Sequence, residues 1–166
     1  MSEDRKVAII TGSSQGLGAS IAIKLSQRNI NLVINYSNNK DMALKIKDEC
    51  VNNGVEAITV QADVSSDDDC KKLVQETINT FGKVDILVNN AGTTKFADHS
   101  KLDKLNDEDF INIYKVNVIG PYQMIRAVEP IMKENGFGSV VNISSIAGKT
   151  GIGSSIAYAA SKGALN

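Results

Sequence analysis

One histidine, no tryptophan, two prolines and two cysteines among 166 residues exclude several kinds of protein. Cys50 and Cys70 stand in polar, helix-like stretches, with neither CxxC spacing nor a nearby histidine. Both are expected to be reduced structural thiols of a cytosolic protein. The net charge of −1 and pI near 5.8 supply no basic field for nucleic acid or anionic lipid. No apolar run reaches the ~18 residues that would span a bilayer. "MSEDRK" at the N-terminus lacks the apolar core of a signal peptide. These absences predict a cytoplasmic protein with no membrane or nucleic-acid partner.

What is present is a chain that is 42% hydrophobic, enough for one well-buried domain. Five short β-branched runs read as strands: "KVAIITG" (6–12), "NLVINY" (31–36), "EAITVQAD" (56–63), "VDILVNN" (84–90) and "GSVVNISS" (138–145). They are nearly continuously apolar, as in a parallel sheet covered on both faces. Helical spacing lies between them: Leu17, Ile21 and Leu25 recur every four residues, and Val74, Ile78 and Phe81 keep i, i+4, i+7. "SSDDD" (65–69) places a hydroxyl and carboxylates where a helix start favours them. Asp67, Asp68 and Asp69 point in different directions on a helix, so no metal site is expected there. A long helical segment over 107–134 should kink at Gly120–Pro121. Strand–helix alternation implies right-handed crossovers and an α/β, Rossmann-like, doubly wound parallel sheet. With no repeat or linker, residues 1–166 read as one domain.

In such sheets ligands bind beyond the carboxyl ends of the strands. Those ends carry "TGSSQGLG" (11–18), "NYSNN" (35–39), Asp63, "NNAG" (89–92) and Ser144–Ser145. Five polar or glycine-rich endings on one rim are hard to attribute to packing. Gly12 permits a tight turn, Gly16 lets the backbone approach a pyrophosphate, and Gly18 lets the helix pack close to the strand. The spacing is GxxxGxG rather than GxGxxG. Further along, "YAASK" sets Tyr158 and Lys162 four residues apart, on one helix face. A phenol titrates near pH ~10, and an ammonium one turn away favours the phenolate.

Taken together, TGxxxGxG, Asp63, NNAG, Asn117, Ser145 and YxxxK thirteen residues later resemble the short-chain dehydrogenase/reductase family over essentially the whole chain. The closer likeness, on general similarity, is to 3-oxoacyl-[acyl-carrier-protein] reductases and related NADP-dependent reductases. The resemblance implies a catalytic set of Asn117, Ser145, Tyr158 and Lys162. Tyr158 is then the acid that protonates a carbonyl oxygen, and Lys162 lowers its pKa and holds the nicotinamide ribose. Ser145 bonds the substrate oxygen, and Asn117 positions a water that relays protons through Lys162. The implied cofactor set is Gly12, Ser14, Gln15, Gly16, Leu17 and Gly18 in the turn, with Tyr36 and Ser37 after the second strand. Asp63 and Val64 at the adenine, Asn90, Ala91 and Gly92 along the floor, and Tyr158 and Lys162 themselves complete it. His99 has no assigned role.

An acid at the end of the second strand binds the ribose 2′-hydroxyl in NAD enzymes and repels a 2′-phosphate. Here Tyr36, Ser37, Asn38 and Asn39 stand there, with no carboxylate before Asp41. NADP(H) is therefore the expected cofactor, with NAD(H) the lesser one. The expected activity is reduction of a carbonyl, small or carried by acyl carrier protein as in fatty acid biosynthesis. An alcohol or sugar dehydrogenase of the same family, and a non-catalytic dinucleotide sensor or scaffold, are the alternatives. The family fold continues for roughly 80–100 residues past the catalytic helix. The 166 residues are thus expected to be an incomplete record of a longer homotetramer, lacking the C-terminal part and leaving the fifth strand an open edge.

Overall fold

Each β-branched run becomes a strand shorter than the run itself, because polar or glycine residues close its ends. The strands are β1 (Val7–Ile10), β2 (Asn31–Tyr36), β3 (Ala57–Gln61), β4 (Ile86–Asn89) and β5 (Ser139–Asn142). They pair in parallel in the order β3-β2-β1-β4-β5, with Ala8 opposite Leu32 on one side and Ile86 on the other. The structure, a computed structural model, describes residues 5–166, so most of "MSEDRK" lies outside the described residues.

Parallel pairing requires a crossover between successive strands. Helices α1 (Gly16–Ser26), α2 (Lys40–Asn52) and α3 (Asp67–Phe81) supply the first three, and α4 (Asp107–Tyr114) with α5 (Gly120–Glu134) supplies the fourth. Two short elements follow β5: α6 (Ala147–Thr150) and α7 (Ile156–Leu165). The chain winds outward from β1 to β3 and then returns to β4 on the other side of β1. Such a reversal opens a crevice beyond the carboxyl ends of β1 and β4.

Alternate residues of each strand feed opposite cores, which is why the runs read as continuously apolar. Ile9, Val33 and Leu87 meet Leu73 of α3 and Met124 and Val128 of α5. Ala8, Ile10, Leu32 and Ile34 face Ala22 of α1 and Ala43 and Cys50 of α2. Both cysteines are buried and unpaired. Burial, aided by Asp67 and Asp69, pushes the Cys70 thiol up to about 12.

Coverage of both faces fails at β5, all four residues of which are exposed. It is the open edge of the sheet, and Val140 and Val141 keep 41% and 45% of their surface. The repeat Leu17–Ile21–Leu25 is likewise not the buried stripe of α1. Gly18, Ala19, Ala22 and Ser26 are, and Leu17 is 56% exposed. The helix start lies so near the glycine turn that only small residues fit beneath it. The kink expected at Gly120–Pro121 takes another form. Lys115–Ile119 make a π turn between α4 and α5, and Pro121 sits in the first turn of α5. Proline offers no N–H to the carbonyl four residues back, that of Asn117, which suits a loss of α spacing there.

At the start of α3, Ser66 accepts from the amide of Asp69, while Asp67 pairs with Lys71 and with Arg126 of α5. Ser66 therefore caps α3, and Asp67 ties it to α5.

Candidate active site

The glycine turn between β1 and α1 is built by its neighbours. Thr11 Oγ1 accepts from the amides of Asn90 and Ala91, each at 3.0 Å, and so locks the turn to the end of β4. Asn90 Nδ2 donates back to the carbonyls of Thr11 (2.9 Å) and Gly12 (3.1 Å). Gly12 has φ +62°, and a Cβ there would stand 3.0 Å from the Ala91 Cα. A Cβ at Gly18 would be 2.4 Å from Asn90 Nδ2 and 2.7 Å from the Gly12 carbonyl oxygen. Gly16 differs. It has φ +59°, and a Cβ there meets no protein atom within 4 Å, so bare backbone faces open space. Helices α2, α3, α4 and α7 each carry a side-chain cap, whereas Gln15 leaves the start of α1 uncapped. Uncapped amides and the positive end of the helix dipole suit an anion.

This turn forms one wall of a cleft of about 480 Å³. Gly12, Ser14, Gln15 and Gly16 lie along that wall, and Tyr36, Ser37 and Asn38 lie at the end of β2. Asp63 and Val64 follow β3, and Asn90, Ala91 and Gly92 follow β4. Gln61 Nε2 donates to the Ser37 carbonyl at 2.8 Å and so fixes the rim after β2. Asp63 Oδ1 accepts from the Ser65 amide at 2.9 Å. The dimensions and the bare Gly16 backbone fit a dinucleotide, with its pyrophosphate at the α1 start. Of the sequence-expected cofactor residues, Leu17 and Gly18 are not among those lining this cleft: Gly18 is packed beneath the turn and Leu17 is exposed.

A second cavity, of about 380 Å³, adjoins the first and shares Asn90, Gly92 and Thr93 with it. Tyr158, Lys162, Ile143, Ser144, Thr94 and Ser154 complete its lining. Ser155 caps α7 by accepting from the Tyr158 amide, which presents Tyr158 and Lys162 on one face one turn apart. Lys162 is only 4% exposed, its Nζ donates to the Ile143 carbonyl at 2.8 Å, and it lies 5.8 Å from the centre of the Tyr158 ring. Burial pulls its ammonium below the usual lysine value.

The other two expected catalytic residues are engaged elsewhere. Asn117, fully buried in the π turn, accepts from the Thr93 amide at 2.8 Å and donates to the Thr93 carbonyl and to Ser161 Oγ. It fastens the loop after β4 to α7. Gly92 lies between Asn117 and Lys162: a Cβ there would be 3.4 Å from Asn117 Oδ1 and 3.7 Å from Lys162 Nζ. Ser145 Oγ accepts from the Ala147 amide at 3.1 Å, and among the described residues no hydrogen bond joins it to Tyr158. Its neighbour Ser144 donates to the Lys162 carbonyl and lines the cavity. His99 Nε2 lies 2.9 Å from the Gly153 carbonyl oxygen and helps bind the loop after β4 to the turn before α7.

Sequence reasoning passed over Thr11, Asn35 and Thr93 as site residues. Thr11 stood inside the quoted glycine motif. Asn35 left a signal of its own, as a polar residue in the apolar run "NLVINY". Nothing in the sequence marked Thr93 as the partner of Asn117.

The fold recurs in known proteins. This chain belongs to the short-chain dehydrogenase family, whose model matches residues 6–166. It is 35% identical over 157 residues to the 3-oxoacyl-[acyl-carrier-protein] reductase of Staphylococcus epidermidis, covering 95% of this chain and 63% of that protein. Among crystal structures, a protein described as a short-chain dehydrogenase/reductase from Burkholderia xenovorans superposes with a TM-score of 0.95 at 39% identity, over 99% of this chain and 69% of that one. An NAD+-bound xylitol dehydrogenase superposes at 0.90 with 29% identity, over 96% and 60%. The chain thus spans about three fifths of the length of the curated reductase it resembles.

Proposed function

We propose that the protein is an NADP-dependent oxidoreductase that reduces a carbonyl to an alcohol, with Tyr158 as the proton donor. The observation that carries this reading is the buried Lys162. It is held by the Ile143 carbonyl beside Tyr158, in a cavity continuous with the dinucleotide-sized cleft. A desolvated ammonium costs stability, and a buried, perturbed lysine in a cleft marks a functional site.

When bound, the nicotinamide supplies a hydride to the carbonyl carbon. The chain's own residues manage the proton and the geometry. Tyr158 gives its phenolic proton to the carbonyl oxygen, and Lys162 stabilises the phenolate left behind and returns a proton to it from solvent. Ser145 serves as hydrogen-bond donor to the substrate oxygen, its hydroxyl keeping its own proton while it accepts from the Ala147 amide. Asn117 holds Thr93 and α7 in register, so that Gly92 and Lys162 keep their spacing, and supports the proton path through Lys162. Gly12, Ser14, Gln15 and Gly16 hold the pyrophosphate, Asp63 and Val64 contact the adenine, and Asn90, Ala91 and Gly92 form the floor.

The neutral rim of Tyr36, Ser37 and Asn38 supports NADP(H) over NAD(H), because no carboxylate stands there to repel a 2′-phosphate. Likeness to the staphylococcal reductase supports a 3-oxoacyl substrate carried by acyl carrier protein. The second reading is an alcohol or sugar dehydrogenase, favoured by the likeness to xylitol dehydrogenase. Cofactor titration followed by a panel of 3-oxoacyl thioesters, sugars and secondary alcohols separates them. Turnover of 3-oxoacyl thioesters with NADPH is the expected result. Saturable dinucleotide binding with no turnover on any class would instead point to a sensor or scaffold.

A further inference from the structure

We infer that Asn35 is a positioning residue for the adenosine half of the cofactor, fastening three strand ends into one preformed wall. The inference rests on the dinucleotide reading above and assigns a role within that site. Asn35 lies one residue before the end of β2, lines the large cleft and is 2% exposed. Its Oδ1 accepts from the Gly12 amide at 2.9 Å, which engages the glycine turn after β1. Its Nδ2 donates to the Ala62 carbonyl at 3.0 Å and the Val60 carbonyl at 3.3 Å, which engages the exit of β3 just before Asp63 and Val64. Its main chain closes a ring with Ser13: the Asn35 amide donates to Ser13 Oγ at 3.0 Å, and the Ser13 amide donates to the Asn35 carbonyl at 2.9 Å.

No other type of side chain of this size supplies both the acceptor and the donors. A leucine or valine, which the surrounding run favours, would leave the Gly12 amide and the Ala62 carbonyl unpaired at the wall of the cleft. A polar side chain in a buried strand lowers β-sheet packing, and its retention is accounted for by the two ligand-facing segments it joins. Asn35 itself offers no further polar atom to a ligand, so it acts through Gly12 and Ala62–Val64 rather than by contact.

Calorimetric titration of the intact protein with adenosine, an uncharged probe, and with NADPH tests this. In Asn35→Ala both dissociation constants should rise about ten-fold, while kcat at saturating NADPH stays within about two-fold of wild type. A merely structural role would lower the stoichiometry of binding and leave the dissociation constants unchanged, and that result overturns the inference. Should Asn35→Ala not fold, Asn35→Asp keeps the acceptor for Gly12 but cannot donate to Ala62. Its adenosine affinity should then fall several-fold, and an unchanged affinity again overturns the inference. A wild-type protein that binds neither probe fails the dinucleotide reading itself, whereas wild-type binding with unaltered variants fails only the role of Asn35.

Discussion

Lys162 Nζ lies 5.8 Å from the centre of the Tyr158 ring and 2.8 Å from the Ile143 carbonyl oxygen, so the strand end after β5 aims the ammonium at the phenol. Removing the phenol oxygen should stop the proton step and leave the cofactor cleft untouched. Tyr158→Phe is expected to lower kcat by about 10²–10⁴-fold with NADPH affinity within about two-fold of wild type, measured by steady-state rates and fluorescence titration. Retention of more than a tenth of the wild-type kcat contradicts the assignment.

Lys162 should cost stability in exchange for its function. It is nearly buried, and its lowered pKa records the penalty of desolvation. Lys162→Met is of similar length and needs no solvation. Turnover should fall by at least about a hundred-fold, while the melting temperature holds or rises by a few degrees. A large drop in melting temperature would make Lys162 a structural residue instead.

Gly18 and Gly16 should separate packing from conformation. A Cβ at Gly18 would collide with Asn90 Nδ2 and the Gly12 carbonyl, so Gly18→Ala is expected to destabilise the fold by about 1–3 kcal/mol. Gly16→Ala meets no atom and bears only the strain of φ +59°, about 1–2 kcal/mol, yet it obstructs the pyrophosphate. Denaturant titration ranks the stabilities and NADPH titration ranks the affinities. Equal stability of Gly18→Ala and wild type contradicts the close approach.

The strands and their order of use were legible because parallel strands buried on both faces leave β-branched runs that no helix imitates. Most of the cleft was legible because its glycine and asparagine motifs sit at fixed strand ends. Leu17 misled because its helical spacing promised a buried face, when the buried face of α1 is made by Gly18, Ala19, Ala22 and Ser26. The form of the turn around Asn117 was hidden, since α and π spacing leave the same residue types. Thr93 was hidden for a different reason: it offers Asn117 its main chain, and main-chain atoms carry no residue signature. Asn35 was visible as a lone polar residue in an apolar run, but its partners lie 23 and 27 positions away.

Cofactor choice should turn on the rim after β2. Ser37→Asp places a carboxylate beside Tyr36 and Asn38, where a 2′-phosphate would sit. It is expected to lower kcat/KM for NADPH by about ten-fold or more and to raise NADH use relative to it. Comparable kcat/KM values with both cofactors in the wild-type protein would overturn the NADP preference.

Cys70 should make the fold sensitive to alkali. Its thiol stands at about 12 in the folded state against 9.0 as a free group, so the folded chain keeps a proton that the unfolded chain releases. Stability contributed in this way is intact below about pH 9 and declines as pH rises from there toward about 12. Urea midpoints of wild type and Cys70→Ala between about pH 8 and pH 10.5 should show a shallower decline for the variant. Parallel slopes contradict the assignment.

Carbonyl reduction beside Tyr158 requires hydride transfer to the carbonyl carbon within that cavity. Single-turnover incubation of the protein with NADPH deuterated at both C4 positions and a 3-oxoacyl thioester, followed by mass spectrometry of the product, is the direct test. One deuterium on the carbinol carbon is expected with wild type, and a yield lower by at least about a hundred-fold with Tyr158→Phe in the same time. Saturable NADPH binding with no deuterium in any carbonyl-derived product, or equal transfer by both proteins, would contradict it.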